Sequence, residues 1–412
     1  MFLIVALCLI SGAARAGEKT LFSFPSNGSG GASVSGNLVF DPSATHLFGT
    51  TFEGGVFDLM HCAGSCGVVF ELTRTASAPW QETVIHGFAG GVDGAVPGSG
   101  LVADARGNLY GTTTYGGQGA HCGNVQIGCG TVFRLVHTPS GWNETILHIF
   151  TGASDGSYPQ GPVILDAQGN LYGTTGGDGD PVFKCGTVFE IQHLAGGHWS
   201  KKRLYAFTGG PNDGAAPWAG LVFDGTGNLY GTTIIGGSSN AGTVFELSPA
   251  GGGTWTESVI YSFGSTAGDG SQPRAGLTID SQGNLYGTTS TGGVGYGTAF
   301  ELSPSGGSWT ENIMHTFQGG TDAATPYSSL TFDSVGNLYG TTWAGGTNNA
   351  GTVYELSPVG DGTWNETLPI VFSGRNGEEL SGGVIFDKEG NFYGGTEAGG
   401  SDGLVYEFVP RK

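Results

Sequence analysis

The strongest constraint on this chain is a string that keeps returning. GNLYGTT occurs with its asparagine at Asn108, Asn170, Asn228, Asn284 and Asn337, as GNFYGGT at Asn391, and in a looser copy, THLFGTT, around His46. Counted from His46 the seven copies are spaced 62, 62, 58, 56, 53 and 54 residues apart, a period that marks repeated supersecondary units. In the fourth copy four strand-like runs follow one another: GLVFD (220–224), NLYGTT (228–233), GTVFEL (242–247) and ESVIYSF (257–263). Val, Ile, Thr, Tyr and Phe fill these runs while Gly, Pro, Asn, Asp and Ser fill the gaps, and none of the runs has helical spacing. The expected fold is all-β, a seven-bladed β-propeller with four antiparallel strands per blade, A (inner) to D (outer). A β-solenoid is the rival, but its rungs are usually shorter than this period and it would need distinct caps.

The ends of the chain agree with a closed ring. An orphan TLFSF (20–24) matches the fourth strand of the other units, and the chain runs out after a third-type strand at 404–408, so the N-terminal strand is expected to complete the C-terminal blade. Trp80, Trp142, Trp199, Trp255, Trp309 and Trp364 each begin an outer strand, a periodicity that speaks for packing.

Composition narrows the class further. Glycine supplies 81 of 412 residues without a G-X-Y period, which excludes collagen, and 38% hydrophobic with 11% aromatic residues is too apolar for disorder. Fourteen Lys+Arg against 34 Asp+Glu, a net charge of −20, exclude a nucleic-acid partner. Residues 1–16 read as a signal peptide, with an apolar run from Phe2 to Ile10 and an Ala14-Arg15-Ala16 cleavage site, too short to span a bilayer. No further transmembrane segment follows, so residues 17–412 are expected as one propeller domain, secreted, periplasmic or at the cell surface. There disulfides are permitted, and loop clasps Cys62–Cys66 and Cys122–Cys129 are the simplest pairing, with Cys185 left over. Zinc competes, because His61 and His121 precede the first cysteine of each pair.

The repeated GNLYGTT, a GG-containing loop and GTVFEL together resemble the GloVer (Gloeo-Verruco) tandem repeat of secreted bacterial choice-of-anchor proteins. The resemblance spans essentially the whole mature chain. It implies an exported repeat protein and transfers no catalytic residue, and the usual C-terminal sorting segment is not evident.

Function is expected where the copies differ. The A–B and C–D turns recur nearly unchanged on one face; the B–C loops and D–A connections vary on the other. B–C loops shrink from 15 and 16 residues (52–66, 114–129) to 6 (397–402), and the longest three carry both cysteine pairs with Glu53, Asp58, His61, His121, Asp178, Asp180 and Lys184. At the channel mouth, three residues before each A strand's first apolar position, the copies present Ser35, Gly98, Gln160, Trp218, Arg274, Tyr327 and Ser381. Trp218 and Tyr327 would flank Arg274 and hold a planar or sugar-like ligand with an anionic group, with Gln160 beside them and Trp343 extending the surface.

Chemistry is otherwise thin. The A-strand aspartates (Asp41 to Asp387) and C-strand glutamates (Glu71 to Glu407) are periodic and read as turns and ladders, so no glycosidase pair stands out. The DG at Asp93, Asp155, Asp213 and Asp269 reads as turn chemistry, with calcium the alternative; no cofactor is required and no metal site is assigned. GxSxG at 152–156 lies in a D–A connection and is discounted. His86, His148 and His315 share a D-strand position with Tyr205 and Tyr261 and are read as structural. The leading expectation is a non-enzymatic binder of an extracellular carbohydrate or protein on the B–C/D–A face. A polysaccharide hydrolase or lyase is the alternative and a purely structural surface protein the third reading. An enzyme would show a non-periodic carboxylate or histidine with a strongly shifted pKa in the mouth.

Overall fold

A computed structural model describes residues 17–410 apart from 27, 29, 56, 59–61, 63, 75–79, 118–121, 123–126 and 179–184. The expected signal peptide lies outside these residues, as do His61, His121, Asp180 and Lys184 of the long loops.

Seven blades of four antiparallel strands stand in a ring as a β-propeller, and in blade six Ala323–Pro326 adds a fifth strand to the sheet. In blade four the strands are Val222–Phe223, Leu229–Thr233, Thr243–Pro249 and Trp255–Ser262, and the pattern repeats around the ring. Blade seven is closed by Gly17–Ser23, which lies antiparallel to Leu404–Val409 with Gly17 opposite Val409. No helix among the described residues is long and apolar enough to cross a membrane. The GxSxG serine sits in a 3-10 turn, Ala153–Asp155, between blades.

Each repeated residue has a mechanical task. The A-strand aspartate closes the A–B turn: Asp224 accepts the backbone N–H groups of Thr226 and Asn228 and the Asn228 side-chain amide, at 2.8 to 2.9 Å. The C-strand glutamates are held by tyrosines of the neighbouring strand, as Tyr172 donates to Glu190 at 3.0 Å. Glycine of the GTT string lets an aromatic ring lie flat on the backbone: a Cβ at Gly231 would stand 2.6 Å from Phe245 Cζ. Gly231→Ala is therefore expected to cost about 1–3 kcal/mol in urea unfolding, whereas Gly225→Ala, with nothing within 4 Å of the new Cβ, is expected to be neutral.

The core is distributed between blades. Seven apolar clusters each draw on two adjacent blades, and the periodic tryptophans pack across those junctions, Phe48 on Trp142 at 5.5 Å and Tyr230 on Trp309 at 5.9 Å. A register shift between the C and D strands recurs in the blades, at Val244/Phe245 in blade four, and twists the outer strand toward its neighbour.

Candidate functional site

The first threonine of each GTT string fixes the channel mouth. Its hydroxyl donates into the next blade, to the carbonyl just after the mouth residue: Thr174 to Ala219 at 2.8 Å, Thr232 to Ala275 at 2.9 Å, Thr341 to Gly382 at 2.8 Å. A second device acts from the other side. Two residues before each mouth position a non-glycine residue is held left-handed, with φ of 57° at Ala216, 55° at Gln272 and 57° at Thr325. Its N–H donates to the residue preceding the C-strand glycine: Ala216 to Cys185 at 2.8 Å, Gln272 to Ala241 at 2.7 Å, Thr325 to Tyr296 at 2.9 Å. Pro217, Pro273 and Pro326 come next and restrict the backbone again. Residues in this region of φ/ψ cost on the order of 1–3 kcal/mol each and persist where the surroundings over-determine them. The mouth side chains thus project from a frame that is stiff before any ligand arrives.

That frame brings Gln160, Trp218, Arg274, Tyr327 and Trp343 to one cavity of about 470 Å³, all five where the sequence places them. The Arg274 guanidinium lies between two rings, 5.1 Å from the Trp218 centroid and 5.3 Å from that of Tyr327. Trp343 continues the row, 5.6 Å from Tyr327. Arg274 Nε is buried without a hydrogen-bond partner, so the cation is held by ring faces with its donors unspent. Ser35 departs from expectation. Its hydroxyl donates to the Pro97 carbonyl at 2.8 Å and it is fully buried, so it stitches blades one and two and does not line the cavity.

Trp343 belongs to a second ring of mouth residues, at the position directly after the GTT string or its GGT copy in blade seven, whose other members the sequence reading missed. Phe52, Thr114, Trp343 and Glu397 occupy it in four blades and all line the cavity, with Tyr115 one residue further on. Glu397 matters most. Burial, reinforced by the Glu379 charge, pushes its carboxyl up to about 7, and it is the one carboxylate lining the cavity among the described residues. It is the non-periodic, shifted carboxylate set above as the mark of an enzyme.

The long loops serve a different end. Cys62–Cys66 and Cys122–Cys129 are both disulfides, and Cys185 belongs to neither. Cys66, Cys129 and Cys185 hold one register position, since their carbonyls accept from Val96, Tyr158 and Ala216 at 2.8 Å. The clasps therefore brace the segments leading to the next blade's mouth residue. Of the other loop residues, Glu53 is exposed and Asp178 is buried, and neither lines the cavity, while Asp58 pairs through its backbone with Gly64.

The Gloeobacter/Verrucomicrobia repeat family matches three overlapping stretches, residues 12–210, 123–354 and 181–408. The chain belongs to that family. No curated protein matches it. Membership in the Gloeobacter/Verrucomicrobia repeat family accounts for the blade frame, which each copy repeats; the mouth residues are where this member's copies diverge from one another.

Proposed function

We propose that this protein is an exported propeller that binds an acidic carbohydrate at its channel mouth without turning it over. One observation carries the reading: in a chain of net charge −20, Arg274 stands unpaired inside a cavity, clamped between Trp218 and Tyr327. Aromatic faces take the apolar faces of sugar rings, and the guanidinium fork takes a carboxylate in two parallel hydrogen bonds. Uronic-acid polymers supply both. The two disulfides support export.

The test is a glycan array that includes uronic-acid polymers, followed by titration of the hits and an assay for released products. Specific binding without product formation is the expected result. No retained acidic glycan sinks the reading and leaves a protein partner or a structural role.

Glu397 favours a second reading, a polysaccharide-cleaving enzyme in which a carboxyl titrating near 7 donates or accepts the proton at the scissile oxygen or ring carbon. A paired-carboxylate hydrolase needs two such groups facing the bond, and among the described residues one lines this cavity. Binding is therefore the reading adopted. Glu397→Gln separates the two: a binder keeps its affinity within about threefold, because amide and protonated carboxyl are close in shape and charge. An enzyme would lose turnover by about 100-fold or more.

A further inference from the structure

Away from the mouth, the outer strands build a second seven-fold feature. At each junction a D-strand residue of one blade, the D–A residue that follows it and a D-strand residue of the next blade converge. Registers identify the equivalents: Glu144, Lys201, Glu257, Glu311 and Glu366 lie opposite Leu135, Ile191, Leu247, Leu302 and Leu356. In the other junctions a tyrosine, asparagine or lysine donates to a carboxylate, although Glu257 Oε1, Asp269 Oδ1 and Glu311 Oε1 there are also buried without a partner. Tyr205 donates to Asp213 at 3.2 Å and Tyr261 to Glu311 at 2.6 Å, and at the ring closure Asn376 donates to Glu18 at 2.7 Å. Between blades two and three the Lys201 ammonium reaches Asp155 at 2.8 Å, and His148 Nε2 lies 3.1 Å from the same carboxylate.

Two junctions combine a histidine with two carboxylates and have no such donor. His86 Nε2 lies 3.5 Å from Asp93 Oδ1 and 3.6 Å from Glu144 Oε1; His315 Nε2 lies 3.5 Å from Asp322 Oδ2 and 3.7 Å from Glu366 Oε1. In each set the three donor atoms lie within 4.8 Å of one another. His86 Nε2, Glu144 Oε1, His315 Nε2 and Glu366 Oε1 are buried without a hydrogen-bond partner. Donor atoms bound about 2.0–2.1 Å from one ion at tetrahedral angles stand about 3.4 Å apart, close to the spacing of the histidine nitrogens from their carboxylates. The His86 ring sits edge-on to Phe88 at 4.6 Å and His315 to Phe317 at 4.8 Å, while Asp93 accepts the Ala89 N–H and Asp322 the Gln318 N–H, both at 2.7 Å.

We propose that His86, Asp93 and Glu144, and separately His315, Asp322 and Glu366, each bind one divalent transition-metal ion, zinc being the best match to one imidazole and two carboxylates. The Lys201 junction is the internal control, because there the frame carries a cation of its own between the same kinds of group. Each ion would tie two blades together as an ion pair ties blades two and three. With three protein ligands, its fourth position is left to water.

The experiment uses untagged protein stripped with a chelator, equilibrated with Zn2+ or Co2+, desalted and assayed for metal by mass spectrometry. Two equivalents per chain are expected, together with a rise in Tm and, for Co2+, visible absorption bands of a nitrogen–oxygen site. Variants that copy other junctions of the same ring provide the control for folding: Glu144→Lys and Glu366→Lys copy the Lys201 junction, His86→Tyr and His315→Tyr the Tyr205 junction. Each single variant should lose one equivalent and the matched double variants both, with the apo Tm kept within a few degrees. Less than half an equivalent in the wild-type protein would overturn the proposal. So would two equivalents retained by the double variants, which would place the metal elsewhere.

Discussion

Arg274→Ala is expected to weaken binding of an acidic oligosaccharide by about 30- to 1,000-fold while leaving the fold intact. The variant removes a guanidinium held at 5.1 and 5.3 Å from two rings and the charge that would meet the ligand's carboxylate. A guanidinium–carboxylate fork to the ligand, built from charge-assisted hydrogen bonds, amounts to about 2–4 kcal/mol, which converts to that range. Stability should hold because the side chain sits in the cavity wall and its Nε has no hydrogen bond to lose. Arg274→Lys is expected to fall between, keeping the charge and losing the flat fork. Calorimetric titration at two salt concentrations checks the result, and undiminished affinity in the alanine variant would remove Arg274 from the site.

The folded protein is expected to be several kcal/mol more stable near pH 5 than near pH 8. Burial pushes the carboxyls of Glu82, Glu257, Glu311 and Glu397 up to about 7 each, against 4.5 for a free glutamate. The folded chain thus holds protons that the unfolded chain releases between pH 4.5 and 7. Stability falls as pH rises through that window, and Glu366 and Glu144, pushed by burial and a neighbouring aspartate up to about 8 and about 9, extend the fall above it. At the acid end Asp155 works in the opposite sense. Although burial opposes its ionisation, His148 and Lys201 hold it well below the usual carboxylate range, so its contribution disappears only below about pH 3.8. One pKa unit is about 1.4 kcal/mol. With about 1 kcal/mol per glutamate left after solvent screening of these half-buried groups, the total is about 4 kcal/mol, or about 5 °C in Tm for a chain of this size. Melting curves in a chelating buffer from pH 4.5 to 8 check this without a contribution from rim ions, and a flat or rising profile would refute it.

The blades were legible because their determinants are local and sevenfold. Asp224 closing the Asn228 turn, Gly231 under Phe245 and Trp309 at the head of its strand leave the same trace in copy after copy. Divergence from that trace located Trp218, Arg274 and Tyr327, since a position three residues ahead of an apolar strand can be counted. Glu397 escaped because it directly follows a strand, in a stretch taken for the start of a loop. The differences among Phe52, Thr114, Trp343 and Glu397 at that position were the available clue. The rim junctions were beyond counting. His86 and Glu144 stand in different blades, and a register shift within each blade decides which side chains of the outer strands meet.

The pairing of Gly17–Ser23 with Leu404–Val409 also bears on how the molecule comes into being. A chain emerging from its N-terminus offers first the strand it will use last. Leu21 and Phe24, both buried in the finished ring, have no blade-seven partner until Val405 has been made. Six blades can assemble by nearest-neighbour contact while the opening segment waits. The final step joins residues almost 400 positions apart, with the loop-closure entropy and slow rate that such separation imposes. Completion of the ring is therefore timed by arrival of the last strand, and a chain that stalls before residue 404 keeps both a bare strand edge and a loose apolar segment to fill it.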